Sequence, residues 1–299
     1  MGGEKRGGIA AVVMACGEGM LDPTLDTLES VRHYCPEAHS IVIVDDLTRD
    51  GTYESLQKIK GKNWHILRNA KRNGLSRLTH TLQAGYRFIL ENLGSPVVLK
   101  LDTDALIIRT GILSEALQYA EANPRAGMFG VYEVDFNRPR TYVVHTRVIN
   151  RAMKWWRALI GLRPAWRHLL LAAEANGYIR GENVFGGSYF ISIECLRAMD
   201  RIGGLSMPRF WKARLQEDVY FSMAAIAAGY RLGHFAAPSG PLCLDWKGLP
   251  YPAREIWERG YKLVHSVDRG PNTGSEQNGG MRARDIFRAI RMNPESFSS

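Results

Sequence analysis

The first hundred residues alternate between short apolar runs and longer amphipathic segments. Apolar runs at residues 9–15, 40–44, 64–67 and 96–101 have the length and composition of buried β-strands. Between them, apolar residues recur at helical spacing in residues 23–34, 52–59 and 76–92, and Asp22 is a candidate N-cap for the first helix. Strands that alternate with helices form a parallel sheet with helices on both faces. We therefore predict an α/β fold with a mainly parallel central sheet.

The second half of the chain is less regular. Strands are predicted at residues 125–134, 141–144 and 188–193, and helices at residues 194–202, 216–228 and 281–292. Residues 150–176 form a helix-like segment that is rich in Trp and Arg and is interrupted at Gly161 and Pro164. No segment repeats another, so we predict one α/β domain followed by a short polar C-terminal extension.

Two carboxylates follow the strand predicted at residues 96–101. Alternation along an extended chain points Asp102 and Asp104 to the same side, and ligands of open α/β sheets bind at strand ends. Hard cations such as Mg²⁺ or Mn²⁺ prefer oxygen ligands of this kind. For an isolated pair, a solvated strand end with a helix cap is the better interpretation. Further acidic motifs in the chain favour a metal site here.

Composition excludes several classes of protein. With 299 residues, 45% of them apolar and 23% charged, the chain can bury a large core. No apolar run approaches the length of a membrane-spanning helix, and residues 9–16 are too short for a secretory signal. The four cysteines have no CxxC spacing, which indicates neither a zinc site nor a disulfide framework. A cytoplasmic protein is predicted.

The chain is basic, with 39 Lys and Arg against 30 Asp and Glu and a net charge of +9. This balance suits an anionic ligand, an anionic membrane surface or nucleic acid. One basic cluster lies within residues 68–77 and another within residues 147–167. Because no zinc-finger or RNP-type signature accompanies them, we predict that nucleic acid is not a partner.

Three acidic motifs follow one another along the chain. They are Asp45-Asp46 with Asp50-Gly51-Thr52, then Asp102-Thr103-Asp104, then Glu217-Asp218; Gly186-Gly187 precedes the third motif and Gly229-Tyr230 follows it. In order and spacing they resemble the motifs of GT-A glycosyltransferases, in particular the family 2-like group, over residues 9–230. The resemblance implies a GT-A domain at residues 9–270, with a nucleotide-binding half at 9–104 and an acceptor-side half at 105–270. Residues 271–299 would be the C-terminal extension.

The resemblance implies a nucleotide-diphospho-sugar donor. In the family pattern Asp45 contacts the nucleoside, the turn containing Ala15, Cys16 and Glu18 lines the base pocket, and Asp104 is the direct metal ligand. Asp102 and Thr103 would then lie nearer the ribose or sugar of the donor. The residue chemistry agrees, since a carboxylate at a strand end can accept hydrogen bonds from ribose hydroxyls or a base N–H. Capping of the following turn is the alternative for Asp45 and Asp46.

Basic residues precede the third predicted helix. Arg68, Lys71 and Arg72 come before Asn73-Gly74, and phosphate groups bind well at helix N-termini. Lys71 is therefore a candidate to contact the diphosphate of the donor. A solvated basic loop is an equal alternative.

The third motif contains the candidate general base. An acceptor hydroxyl is a poor nucleophile, and a positioned carboxylate can take its proton in the transition state. Adjacent helical residues point about 100° apart, so only one of Glu217 and Asp218 should face the donor. The family pattern favours Asp218 and an inverting reaction, with Glu217 as the alternative. Acidic residues are also favoured at a helix N-terminus by the helix dipole alone.

Three more side chains are candidates for the site. By resemblance, His265 lies where many GT-A enzymes have a further metal ligand, with His234 as the rival. A lone His in an apolar stretch is more often structural. Trp246 could stack on a sugar face or belong to the core.

The segment with Trp155, Trp156, Trp166 and several arginines allows two interpretations. Aromatic anchors beside cations are typical of an interfacial helix on an anionic membrane, where it would approach a lipid-linked acceptor. A buried helix pair with solvated arginines is the simpler alternative.

Together these features predict a hexosyltransferase-like enzyme that depends on Mn²⁺ or Mg²⁺. It would move a sugar from a nucleotide-diphosphate donor to a hydroxyl of a carbohydrate, lipid-linked or small-molecule acceptor. A nucleotidyltransferase is one alternative, although the turn at residues 16–19 is short and acidic rather than a basic Gly-rich phosphate loop. A retaining GT-A enzyme and a catalytically silent binding module are the others.

Overall fold

The computed structural model describes residues 10–71, 77–135, 138–154, 157, 164–206, 215–235, 240–245 and 247–297. Its strands are, in chain order, β1 (Ala10–Cys16), β2 (Ala38–Asp45), β3 (Trp64–Arg68), β4 (Val97–Leu101), β5 (Ala105–Ile107), β6 (Ala126–Gly130), β7 (Val134–Asp135), β8 (Arg138–Pro139), β9 (Ser188–Ser192), β10 (Arg231–His234), β11 (Leu242–Leu244) and β12 (Leu263–His265). Its α-helices are α1 (Leu21–Tyr34), α2 (Thr52–Ile59), α3 (Arg77–Asn92), α4 (Ile112–Ala122), α5 (Val143–Ala152), α6 (Arg167–Ala175), α7 (Ile193–Arg201), α8 (Glu217–Ala227), α9 (Ala253–Glu258) and α10 (Ala283–Met292).

Seven strands form the central sheet, in the order β10-β6-β9-β4-β1-β2-β3. Strand β9 is antiparallel to both of its neighbours, and every other pairing in the sheet is parallel. The predicted α/β fold with a mainly parallel central sheet is therefore confirmed.

Alternate residues of β1 pack into separate cores on the two faces of the sheet. Ala11 and Val13 belong to one apolar cluster, whereas Val12 and Met14 belong to the other. All four are fully buried. A strand covered on both faces must be apolar at every position, which is why this run shows no polar alternation.

A smaller sheet positions part of the site. It has the order β11-β12-β5, with β12 parallel to β11 and antiparallel to β5. Its outer side packs against a third apolar cluster that includes Ile286, Phe287 and Ile290 of α10. Helix α10 thus shares a core with the smaller sheet, and the domain boundary after residue 270 stays a prediction.

Two details of the predicted elements are wrong. A strand is predicted at residues 141–144, but Val143 and Val144 lie in the first turn of α5 and are exposed. Asp22 lies inside the first turn of α1, and the N-cap position belongs to Met20. In the described part of the chain, no helix is both long and apolar enough to cross a membrane.

Helix α10 is fixed to α1 through one buried carboxylate. Asp26 accepts hydrogen bonds from Arg284 Nη1 at 2.9 Å, Arg291 Nη2 at 2.5 Å and Arg288 Nε at 3.2 Å. The side chains of Asp26, Arg284 and Arg291 are all less than one tenth exposed. Burial alone would raise the pKa of Asp26, but Arg291 and Arg284 together hold it below its ordinary value.

We expect Asp26→Asn to lower the free energy of unfolding by about 3–5 kcal/mol at neutral pH, because it leaves the buried guanidinium of Arg291 without its countercharge and leaves Arg284 with Asp268 alone. A native pKa below the ordinary value of 3.8 means that the Asp26 charge stabilises the fold above that pH. The deficit of the variant should therefore shrink as the pH falls below 3.8. Urea unfolding of the variant and of the unsubstituted chain, at neutral pH and below pH 3.8, measures this difference in the free energy of unfolding. The control Asp285→Asn removes partly exposed ion pairs and should lose about 1 kcal/mol or less.

Candidate active site

The end of β4 holds a fully buried lysine beside the first carboxylate of the Asp-Thr-Asp turn. Lys100 Nζ donates to Asp102 Oδ1 at 2.6 Å and to the carbonyl oxygen of Gly186. The same ammonium group lies 3.1 Å from Glu217 Oε1, and its side chain has no exposed surface. A buried charge is costly unless it is paired. Lys100 therefore joins the acidic turn after β4 to the first turn of α8.

Antiparallel pairing of β5 with β12 joins His265 to the same turn. Strand β5 begins directly after Asp104, and its first residue, Ala105, lies opposite His265. As a result, His265 Nε2 is 3.2 Å from Asp104 Oδ1 and 3.8 Å from Asp102 Oδ2. One ligand atom from each of the three residues lies within 4.8 Å of the others.

These three side chains fit a divalent cation. They offer two carboxylates and one imidazole, and hard oxygen donors are what Mg²⁺ and Mn²⁺ prefer. Ser266 Oγ donates to Asp104 Oδ2 at 2.6 Å, which fixes the orientation of that carboxylate. Burial alone would raise the pKa of Asp104, but His265, Ser266 and the charge of Arg269 hold it well below its usual range. The carboxylate of Asp104 is therefore ionised at neutral pH and is a candidate ligand for a cation.

Two glycines make room for the side chains of Asp218 and His265. A Cβ atom at Gly186 would lie 2.9 Å from Asp218 Oδ2, and one at Gly187 would overlap the imidazole of His265. The Gly-Gly element before β9 thus lets the backbone pass between Asp218 and His265. Any larger residue at either position would displace one of them.

Asp218 is almost completely buried at the start of α8. Its Oδ2 accepts a hydrogen bond from Asn183 Nδ2 at 2.8 Å, and its Oδ1 accepts one from the backbone N–H of Val219 at 2.8 Å. Burial raises the pKa of Asp218, and the nearby His145 opposes that rise. Burial also raises the pKa of Glu217, against the charge of Lys100. Glu217 is engaged with Lys100, whereas Asp218 lies against Gly186.

At the end of β2, Asp45 stabilises the turn that follows the strand. Its carboxylate accepts hydrogen bonds from Thr48 Oγ1 at 2.6 Å and from the Thr48 N–H at 3.2 Å, and it lies 3.2 Å from Arg68 Nε. The side chain of Asp45 has no exposed surface. Its contact with a nucleoside stays a prediction.

The turn after β1 lies beside that carboxylate through the parallel β1–β2 pairing, in which Cys16 is opposite Asp45. Ala15 is half-buried, Cys16 is buried and Glu18 is exposed. Cys16 Sγ lies 3.3 Å from Thr24 Oγ1, and burial raises the pKa of its thiol to about 11. The thiol therefore stays neutral, and a role for this turn in the base pocket stays a prediction.

Thr103 is held by its backbone. Its carbonyl oxygen accepts hydrogen bonds from Thr27 Oγ1 at 2.9 Å and from Arg284 Nη2 at 3.2 Å, so α1 and α10 both support the Asp-Thr-Asp turn. Lys71 is exposed beyond the end of β3. Contacts of Thr103 and Lys71 with a donor stay predictions.

The rival histidine lies elsewhere. His234 Nδ1 is 3.2 Å from the backbone N–H groups of Tyr132 and Glu133, and it is His265 that lies beside Asp104. Trp246 and residues 72–76 lie outside the described residues.

A cleft of about 1,200 Å³ has one end at Asp104. Met20, Pro23 and Asp26 of the α1 side line it, together with Arg269 and α10 residues. Of the three candidate metal ligands, Asp104 lines this cleft, so the cleft reaches that carboxylate from the side of α1.

Sequence reasoning missed Lys100 and Asn183. The signal for Lys100 was present, because a lone charge inside the apolar run Val97–Leu101 must find a buried partner. Asn183 carries no such signal, since its contact with Asp218 depends on how the loop before β9 folds back on α8.

The model of the family described as Glycosyl transferase family 2 matches residues 11–181, more than half of the chain. No curated protein matches this chain. Among solved structures, the mannosyltransferase PcManGT from Pyrobaculum calidifontis, in complex with GDP-Man and Mn²⁺, is similar over 95% of this chain and 61% of that chain, at 15% identity and a TM-score of 0.48. S. aureus TarS 1-349 is similar over 77% of this chain and 58% of that chain, at 12% identity and a TM-score of 0.45.

The chain spans about three fifths of the length of these two structures. Their similarity is low, so the assignment depends on the family match and on the α/β fold described above. The chain belongs to glycosyl transferase family 2, and the predicted resemblance to that family is confirmed.

Proposed function

We propose that this chain transfers a sugar from a nucleotide-diphosphate donor to an acceptor hydroxyl, with inversion at the anomeric carbon. Mn²⁺ or Mg²⁺ is the metal that the reaction needs, and Asp218 is the general base. The acceptor is a carbohydrate, a lipid-linked molecule or a small molecule.

One observation carries this proposal. The Asp102–Asp104 turn and the Glu217–Asp218 motif are more than one hundred residues apart in the chain, yet Lys100 contacts both motifs. A site for the diphosphate and a carboxylate for the acceptor are the two parts that glycosyl transfer requires. Their convergence supports one reaction centre rather than two separate acidic caps.

Each side chain then has a defined task. Asp102, Asp104 and His265 hold the cation, which when bound supplies positive charge to the diphosphate leaving group. Lys100 keeps Asp102 oriented by occupying its Oδ1, which leaves Oδ2 facing His265. Asp218 takes the proton of the acceptor hydroxyl while the hydroxyl oxygen attacks the anomeric carbon and the nucleoside diphosphate leaves.

The buried surroundings of Asp218 support its assignment as the base. A carboxylate whose pKa is raised by burial binds a proton more strongly than an exposed one. Asn183 holds Oδ2 from one side, so the side chain has a fixed orientation. Glu217, the alternative, is engaged with Lys100 and is better suited to positioning.

Two other reactions remain as alternatives. The family match favours glycosyl transfer over nucleotidyl transfer. A retaining reaction would give a product with the anomeric configuration of the donor, which NMR of the product distinguishes directly.

A cytoplasmic location also stays a prediction.

Asp218→Asn keeps the size of the side chain but removes its basicity, so we expect kcat to fall about a hundredfold to ten-thousandfold. Donor binding, measured as thermal stabilisation by the nucleotide sugar, should be retained because Asp218 does not contact the donor diphosphate in this mechanism. Release of the nucleoside diphosphate in the presence of acceptor measures kcat.

The matched control is Asp200→Asn, an exposed position on α7 that should leave kcat unchanged. In the unsubstituted enzyme, kcat/KM should decline toward acid pH. The apparent pKa of this acid limb should lie above the ordinary Asp value of 3.8, because the pKa of Asp218 is raised. Full activity of Asp218→Asn would remove Asp218 from the role of base.

Asp104→Asn removes one ionised ligand from the cation site. We expect the affinity for Mn²⁺ to fall by at least about tenfold, the size of loss seen even when an outer-shell partner is removed. Calorimetric titration with Mn²⁺ alone measures this without catalysis. Stabilisation of the protein by a nucleoside diphosphate should then no longer depend on the metal. Unchanged Mn²⁺ affinity in Asp104→Asn, with Asp200→Asn as the control, would contradict the site.

A further inference from the structure

One segment of the chain accounts for nearly all of its net charge. Residues 138–173 contain eight Lys and Arg residues and no Asp or Glu. The other residues carry 31 basic and 30 acidic side chains, so almost the whole net charge of +9 comes from this segment. Acids that would pair with surface arginines are absent from its sequence.

Helix α5, within this segment, has apolar and basic residues on the same outward face. Val144, Arg147, Val148 and Arg151 follow the spacing of one helix face, and all four are exposed. Val144 is 68% exposed, whereas Ile149 on the opposite face is completely buried. Valine is a poor helix former and is β-branched, so exposure on a helix brings the fold no benefit.

A neighbouring loop extends this apolar surface. Ile179 is 67% exposed, and its loop is fixed to α5 because Thr146 Oγ1 donates to the carbonyl oxygen of Arg180 at 2.5 Å. Arg180 Nη1 also donates to Asn150 Oδ1 at 2.7 Å. We call the exposed valines and arginines of α5, together with Ile179 of the loop fixed to that helix, the basic apolar face.

The basic apolar face adjoins the acceptor side of the site. The same loop continues from Ile179 to Asn183, whose amide donates to Asp218. His145, on the helix itself, is near enough to oppose the pKa rise of Asp218. His145 shares the inward face of α5 with the buried Ile149, so a surface bound to the basic apolar face would be one helix away from Asp218.

We propose that the basic apolar face docks on an anionic membrane surface, from which the acceptor reaches Asp218. Arginines provide attraction to anionic headgroups, and exposed apolar side chains enter the interfacial region. Residues 138–173 carry positive charges and no negative ones, and the exposed arginines of α5 lie beside exposed apolar side chains. This combination favours an anionic membrane over an acidic protein as the partner. The docking itself is independent of catalysis, and only the position of the acceptor rests on the proposed function.

The test is co-sedimentation of the full chain with sucrose-loaded vesicles. We expect binding to phosphatidylcholine vesicles that contain phosphatidylglycerol, weaker binding at high salt, and none to phosphatidylcholine alone. Arg147→Gln/Arg151→Gln should lower the partition coefficient by about tenfold or more. Val144→Ser/Val148→Ser should lower it as well, which a purely electrostatic contact would not do.

The matched control is Arg197→Gln/Arg201→Gln, which removes the same charge from exposed positions of α7. The control should bind vesicles like the unsubstituted chain. An equal loss of vesicle binding in the control and in the α5 variants would mean that only net charge matters, and would overturn the proposal. Absence of binding to both kinds of vesicle would overturn it as well. Thermal stabilisation by donor and Mn²⁺, measured on the same variants, reports the proposed function separately and should not change.

Discussion

A buried ammonium group holds together two acidic motifs from distant parts of the chain. Lys100 Nζ contacts Asp102 and Glu217; the side chain of Glu217 is 8% exposed and that of Asp102 is 27% exposed. One positive charge for two negative ones is stable only if the geometry is kept. The orientation of Asp102 toward the metal ligands, and the position of the first turn of α8 with Asp218, both follow from this contact.

The second constraint is the pairing of β5 with β12, which gives Asp104 its histidine. Because β5 starts at the residue after Asp104, the register of three residue pairs determines where His265 lies. Helix α10 and α1 support that turn from the other side through Arg284 and Thr27, which both donate to the carbonyl of Thr103. The C-terminal residues are therefore part of what holds the candidate metal ligands in place, whereas their sequence alone indicates only a polar extension with a short helix.

The sequence predicts those parts of the molecule whose signal is local. The four parallel strands of the first half are short and mainly apolar runs. The Asp-Thr-Asp turn directly follows the fourth of them. Strands β5, β11 and β12 were missed because three residues carry no periodicity. Val143 and Val144 favoured a strand because β-branching normally accompanies burial in a sheet, whereas here they are exposed on a helix. The contacts of Lys100 and Asn183 depend on tertiary packing, which no spacing reveals.

The central claim is sugar transfer from a nucleotide-diphosphate donor at the site built by Asp102, Asp104, His265 and Asp218. The most direct measurement is ³¹P NMR of the enzyme with UDP-, GDP-, dTDP- and CDP-sugars, each with and without Mn²⁺ and in the presence of candidate acceptors. The account predicts release of a nucleoside diphosphate from one nucleotide class, and only with the metal. Release of pyrophosphate or of a sugar phosphate, or metal-independent turnover, would contradict it.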